Sequence, residues 1–379
     1  MNLCGFLLFG VLGVFTSRVV SQVNCLEKEG QRSCLVKRAC FTNTDEGFYF
    51  TSTPTDGDVQ ASVHGPKFLQ RNILLRPKYT HQVFADSHEV HCVLKPFYMP
   101  NIGHALGDDI FPIFRALHLF GLHNAPVLRI LSLQAVSDFP ARVREMYDAI
   151  RMNVTTLENA CYDNLVLGIS GLSYHESFNF GGGDILDTFR DFVFKRAGIR
   201  HGKLQSPGFR PPTFTIIGKD FSVADHPQGI ANPEFIQTVV QQRFPQSKVR
   251  HLKWSEVAFA EQLKVLSETD IHISAPGSDL MSAVFLPNHR VLLVVPLCSP
   301  PVGETCFSNL GNELSLWFRH RATLHIVAYD PIYSNEIVAV HVQAHNQTYY
   351  KVHVNETTLS ISLERANNTF RAWRALPLA

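Results

Sequence analysis

Glu261-Gln-Leu-Lys-Val-Leu-Ser-Glu-Thr-Asp-Ile-His-Ile-Ser-Ala-Pro-Gly-Ser-Asp-Leu280 spells a helix, a strand, a glycine turn and a second helix in immediate succession. Such a run constrains the fold strongly, because parallel strands can be joined only by crossovers and helical crossovers must cover the sheet. The alternation continues on both sides. Val127-Leu-Arg-Ile-Leu131, Leu165-Val-Leu-Gly-Ile169, Thr213-Phe-Thr-Ile-Ile217 and Val291-Leu-Leu-Val-Val-Pro-Leu297 read as buried strands. Asn232-Pro-Glu234 is a cap and first turn for a helix to about Arg243, and a further helix extends from Glu256 to Leu266. The series predicts an α/β fold with a Rossmann-like unit, whose ligands lie beyond the carboxyl ends of the strands. The Gly277 turn stands at such an end.

A length of 379 residues, 45% of them hydrophobic, supports two globular units. Composition turns to proline and glycine at Ser206-Pro-Gly-Phe-Arg-Pro-Pro212, which places the boundary there. The reading is an N-terminal domain over 22–208, a C-terminal Rossmann-like domain over 209–335 and a tail over 336–379. From Gln22 to about Pro100, short apolar runs separated by turn residues predict a strand-rich opening. Lys351-Val-His-Val and Ser360-Ile-Ser-Leu alternate with period two, which predicts a β-rich tail. A formal net charge of +1 without long single-sign runs argues against a nucleic-acid partner and a membrane-surface patch.

Residues 1–21 carry an uncharged apolar run, Leu3 to Phe15, which reads as a signal peptide, with a short N-terminal anchor as the alternative. Four sequons agree with export, at Asn153, Asn346, Asn355 and Asn367. The expected location is the lumen of the Golgi or endoplasmic reticulum, or outside the cell. Eight cysteines fall to seven once Cys4 leaves with the leader, so at least one thiol stays unpaired within the chain. Cys298 and Cys306 flank a short loop and are the first choice for a disulfide; pairing within Cys25, Cys34 and Cys40 is the second. No CxxC occurs, and His88-Glu-Val-His91 lacks zinc-protease spacing, so no metal site is expected. Asp56-Gly-Asp58 matches a metal-binding DxD but reads as an exposed turn in its Thr-Pro-Thr context.

Asn101-Ile-Gly-His-Ala-Leu-Gly-Asp-Asp-Ile-Phe-Pro-Ile-Phe114 supplies the chemistry. Pro112 cannot donate to the carbonyl of Asp108, which predicts a regular helix starting near Asp108 or Asp109 with His104 in the preceding turn. One aspartate would cap the helix while the other ionises in a cleft as a general base tuned by His104. A purely structural pair, one cap and one core histidine, is the competing reading. In the second half, Ser274-Ala-Pro-Gly-Ser-Asp279 can turn backbone N–H groups toward a diphosphate, and Lys219 can add countercharge.

Together these segments, over about residues 95–300, resemble glycosyltransferase family 61. His104-x-x-x-Asp108-Asp109 before Phe-Pro looks like that family's histidine-to-acid motif. Lys219 stands where the family usually has arginine, Asn232 resembles the asparagine opening its next helix, and Gln262 fits the glutamine before the donor loop. Ser274 to Leu280 stands at the family's His-Gly-Ala loop, with Pro276 in place of the histidine and Asp279 where a small residue is usual. The resemblance implies a GT-B fold, two Rossmann-like domains facing a cleft, and inverting transfer without an essential metal or other cofactor. The implied partners are a nucleotide-sugar, a UDP-sugar being the first choice, and a hydroxyl of a protein or glycan. Asp108 is carried over as base with Asp109 as rival and His104 beside them; Lys219, Asn232, Gln262, Ser274, Gly277 and Ser278 are carried over as donor contacts. The departures at Pro276 and Asp279 keep one alternative open, a non-catalytic carbohydrate-binding protein on a transferase scaffold; a hydrolase using His104 and Asp108 ranks last.

Overall fold

A computed structural model describes residues 23–28, 31–41, 48–51, 59–63, 71–78, 88–96, 102–169, 184–200, 210–218, 228–275, 278–295, 324–328, 337–342 and 347–375. The first sheet holds β1 (Val23–Lys28), β2 (Gln31–Phe41), β3 (Phe48–Thr51), β4 (Val59–Val63), β5 (Arg71–Lys78), β6 (Glu89–Leu94), β7 (Val127–Ser132), β8 (Met152–Thr156) and β9 (Ala160–Leu167). Their order is β4-β5-β3-β2-β9-β6-β7-β8, with β1 on β2. β9, β6, β7 and β8 run parallel, and β2 joins antiparallel to β9. The strand-rich opening is therefore an antiparallel extension of a parallel centre.

α1 (Ile102–His104) and α2 (Phe111–Leu119) lead from β6 to β7, and α3 (Ala141–Ala149) leads from β7 to β8. Strand order moves one way through β6, β7 and β8 and then reverses, because β9 pairs on the other side of β6. The carboxyl ends of β6 and β9 thus flank a topological switch point, where an open α/β sheet leaves a crevice. α4 (Asp184–Ala197) packs against α2.

The second half begins with β10 (Thr213–Gly218), β11 (Gln228–Ile230), α5 (Pro233–Arg243), β12 (Lys248–Lys253), α6 (Phe259–Glu268), β13 (Ile271–Ser274), α7 (Ser278–Met281), β14 (Arg290–Val294) and β15 (Leu324–Ala328). Its five-stranded sheet has the order β12-β10-β13-β14-β15, and every pairing is parallel. The switch point lies between β10 and β13. Residues 219 and 276–277, which follow those two strands, lie outside the described residues, as do residues 206–209 of the boundary segment.

A single apolar cluster spans both sheets, from Leu106, Phe114 and Phe189 to Leu266, Phe285 and Leu292. Phe285 is its hinge pin, with ring contacts of 5.8 Å to Phe189, 6.2 Å to Phe194 and 6.0 Å to Phe259. The opposite face of the five-stranded sheet is covered by α5 and by α8 (Glu356–Ala375). With both faces covered, β13 and β14 are buried along their length, as parallel strands require.

The tail departs from the expected β-rich segment. β16 (Ile337–Val342) and β17 (Gln347–Val352) form a small sheet with β11, but Ser360-Ile-Ser-Leu363 lies inside α8. The reason is the longer period: Leu359, Leu363, Ala366 and Phe370 form one buried helical stripe, interleaved with small Ser360 and Ser362. Asn355 Oδ1 accepts the Thr357 N–H at 2.8 Å and starts the helix.

Disulfides join Cys25 to Cys34 and Cys40 to Cys161, each between directly paired residues of neighbouring strands. Cys25–Cys34 is the expected pairing within the first three cysteines, and Cys40 reaches across to β9. Cys298 and Cys306 lie outside the described residues. Cys92 is free and fully buried, and burial pushes its thiol up to about 12, so it is inert. The disulfides mark an oxidising, secretory-type environment. Among the described residues no helix is long and apolar enough to cross a membrane.

His272 sits in β13 between Thr215 and Leu292, with no exposure, and its ring stacks 6.3 Å from Trp254. Burial pushes this imidazole down to about 3 from 6.5. The folded state then refuses a proton that the unfolded chain accepts, so the contribution is whole above pH 6.5 and is lost as pH falls toward 3. For this one group the loss approaches about 1.4 kcal/mol per pH unit. His272→Leu is expected to flatten the dependence of unfolding free energy on pH between 6 and 4, read by urea titration; an unchanged slope contradicts the assignment.

Candidate active site

α1, a π-helical turn over Ala105–Ile110 and α2 form one continuous helix. The Phe111 N–H donates to the carbonyl of Leu106, five residues back. Pro112 offers no N–H to Asp108, and widening the turn by one residue accommodates that missing bond. The helix therefore begins at Ile102, earlier than expected, and His104 lies within it. Neither aspartate caps: Asp108 and Asp109 are each 1% exposed inside the wide turn.

Within that turn the imidazole and the first carboxylate meet. His104 Nδ1 and Asp108 Oδ2 are 2.6 Å apart, with the His104 side chain 26% exposed and that of Asp108 1%. An ionised carboxylate can only accept, so this contact pairs it with a proton on Nδ1. A ligand approaching from solvent meets His104 first, with Asp108 behind it. Asp109 faces another way. Its charge reaches the buried Tyr147, whose hydroxyl is held well above its ordinary value by burial and then by Asp109.

α1 packs directly against α7, the short helix that follows the 276–277 turn. The structure thus brings the His104 helix of the first sheet to the turn region of the second. Ser278 opens α7, and its side chain, Gly277 and Lys219 lie outside the described residues. Three other expected donor contacts make hydrogen bonds within the chain. Gln262 is 4% exposed and donates to the carbonyls of Trp254 at 2.9 Å and Val257 at 2.8 Å. Asn232 donates to the Val354 carbonyl at 3.0 Å and accepts its N–H at 2.8 Å, tying α5 to the segment after β17 rather than capping with its side chain. Ser274 is buried and donates to the Ala275 carbonyl at 3.0 Å. These side chains brace the site.

Several bracing residues carry no motif in the sequence. Arg142 of α3 donates to the carbonyls of Val257, at 3.0 Å, and Trp254, while Glu145 accepts the Phe259 N–H at 2.6 Å. The Trp254 indole donates to Ser282 Oγ at 3.0 Å. This latch lines a cavity of about 20 Å³ behind α1, with Ile102 and Leu106 on its other wall. The only sequence signal was the i, i+3 spacing of Arg142 and Glu145, common on any helix. His251 is the second omission: a Cβ added at Gly218 would stand 2.5 Å from its Nε2, so glycine at the end of β10 admits an imidazole to the switch point.

His88-Glu-Val-His91 enters β6, where Glu89 pairs with Arg129 at 2.8 Å. No cluster of metal-ligating side chains occurs among the described residues, and Asp56-Gly-Asp58 lies outside them. Of the sequons, Asn153 is exposed in β8 and Asn355 is half-buried at the start of α8. Asn367 is only 8% exposed on α8, which makes it the poorest acceptor, and Asn346 lies outside the described residues. No protein-family model matches the chain, and no curated protein matches it in sequence.

Proposed function

We propose that the chain is an inverting glycosyltransferase of the secretory pathway, resembling glycosyltransferase family 61, that moves a sugar from a nucleotide-sugar to a hydroxyl of a protein or glycan. The observation that carries the reading is the His104–Asp108 pair, half-open at the carboxyl end of β6 and packed through α1 against α7. In this reading residues 22–208 and 209–335 are the two Rossmann-like domains of a GT-B arrangement.

His104 Nε2 takes the proton of the acceptor hydroxyl as its oxygen attacks the anomeric carbon, and the bond to the nucleoside diphosphate breaks on the far side. Asp108 holds the imidazole in the required tautomer and stabilises the imidazolium that forms. Lys219 and backbone N–H groups near Gly277 and Ser278 receive the departing diphosphate, at the carboxyl edge of the second sheet. One displacement inverts the anomeric centre. A UDP-sugar is the first donor to test.

Purified full-length protein is incubated with a panel of UDP- and GDP-sugars, and released nucleotide diphosphate is measured with and without chelator. Turnover on at least one donor, insensitive to chelator and abolished in His104→Ala, is the expected result. Absence of turnover with retained sugar-nucleotide binding favours the non-catalytic binder, and chelator-sensitive turnover favours a metal held by Asp56-Gly-Asp58.

A further inference from the structure

β8 and β12 each end a large sheet, and among the described residues neither pairs with a strand on its outer side. A strand so placed offers unpaired N–H and C=O groups to any other chain, and folded proteins blunt it with charge, proline, a bulge or a cover. β12 is blunted by charge. Lys248, Arg250 and Lys253 lie along it, and all of its side chains are exposed or half-buried. β8 has no such device within its length. Its sequence, Met-Asn-Val-Thr-Thr, carries no charge and no proline, and Val and Thr are strong strand formers. Its register with β7 runs unbroken from Leu128 beside Met152 to Ser132 beside Thr156, so no bulge turns the edge away. The nearest charge, Arg151, stands before the strand in the turn out of α3, at φ 52°.

β8 is anchored through one face. Met152 is wholly buried in the apolar cluster beside α3, and Val154 packs against that cluster. Side chains alternate along a strand, so Asn153 and Thr155 face the other way, and Asn153 is exposed. Asn153 lies beside Arg129 of β7, whose guanidinium is held by Glu89 at 2.8 Å. What the bare edge does carry is Asn153-Val-Thr155, a glycan acceptor whose asparagine is in the solvent-facing row. The two disulfides mark the compartment in which such acceptors are modified.

We infer that an N-linked glycan on Asn153 is the cover of this edge, and that a chain lacking it pairs its β8 with β8 of a second copy. The bond forms between Asn153 Nδ2 and the anomeric carbon of a lipid-diphosphate-linked oligosaccharide. The amide gives up one proton and the lipid diphosphate leaves, in a transfer made by the secretory machinery of the cell. The product is bulky and hydrophilic, and it is tethered at the second of five residues on a strand only about 16 Å long. Without it, two edges can meet antiparallel about a twofold axis, because an isologous contact uses one surface twice. The inference rests on export and on the sheet edge, so it stands whether or not the chain transfers a sugar.

The full chain is expressed in a host that glycosylates exported proteins, and peptide mass mapping is expected to find a glycan on Asn153. Asn153→Gln removes the acceptor and is expected to sediment as a larger species whose share grows with concentration, with slowed amide exchange over 152–156. Asn153→Lys removes the same acceptor but sets a charge at the same place, and is expected to sediment as the glycosylated protein does. Thr155→Val destroys the sequon while keeping a β-branched shape, and replaces Asn153→Gln if that variant is not exported. Export of Asn153→Lys with retention of both uncharged variants also supports the inference, since charge then substitutes for sugar. Retention of all three shows that the glycan acts on folding and overturns it. So does an unmodified Asn153, an Asn153→Gln or Thr155→Val protein that sediments like the glycosylated one, equal association of Asn153→Lys, or association that leaves exchange over 152–156 unaltered.

Discussion

In the proposed mechanism Asp108→Asn is expected to lower kcat for sugar transfer by up to roughly 10²–10⁴-fold, the usual contribution of a general base, because the base His104 depends on it. The donor dissociation constant is expected to stay the same. Asparagine keeps the shape that fills the π-helical turn, where Asp108 is 1% exposed, but removes the negative charge 2.6 Å from His104 Nδ1. Without that charge the imidazolium formed during transfer loses its stabilising partner, and the amide can present an N–H that imposes the opposite tautomer. A double-mutant cycle separates this from simple loss of structure. If Asp108 acts through His104, the Asp108→Asn effect vanishes in a His104→Ala background, because residues that act as a unit are not additive. An Asp108→Asn effect of the same size in both backgrounds removes Asp108 from the mechanism.

Removing the Cys40–Cys161 disulfide is expected to destabilise the protein more than removing Cys25–Cys34. The first spans 121 residues and the second 9. In the chain-entropy account, loops of these lengths correspond to roughly 5 and roughly 2.6 kcal/mol respectively. Placement acts in the same direction. Cys40 on β2 and Cys161 on β9 lie where the antiparallel extension joins the parallel centre, whereas Cys25 and Cys34 join only β1 to β2. Chemical denaturation of the two paired alanine variants, Cys40→Ala with Cys161→Ala and Cys25→Ala with Cys34→Ala, reads the order directly. Equal losses, or a reversed order, would show that the unfolded chain is already compact enough to make loop length irrelevant.

The parallel centre was legible from residues alone because it rests on short, strongly apolar runs. Ile271-His-Ile-Ser274 and Thr213-Phe-Thr-Ile-Ile217 read as strands and are β13 and the body of β10. The helix opened by Asn232-Pro-Glu234 is α5, although Asn232 makes no side-chain cap bond. What misled was local pattern without its long-range partner. Four alternating residues at Ser360 looked like a strand, while the stripe that decides the matter needs twelve residues, Leu359 to Phe370, to be seen. Pro112 correctly signalled a broken hydrogen-bond ladder. The expectation supplied a helix start, where the chain instead widens one turn and keeps His104 in helical register with Asp108. Gln262, Asn232 and Ser274 were assigned to a donor through the family resemblance; their hydrogen bonds to carbonyls far along or next along the chain are invisible in a linear text.

Phe285 also bears on how the molecule moves. Its ring is wedged among Phe189, Phe194 and Phe259, so swinging the halves apart as rigid shells would wet an aromatic seam. Large-amplitude breathing of that kind is disfavoured, so in the transferase reading a substrate at His104 would have to enter by small local excursions, faster than a gaping hinge.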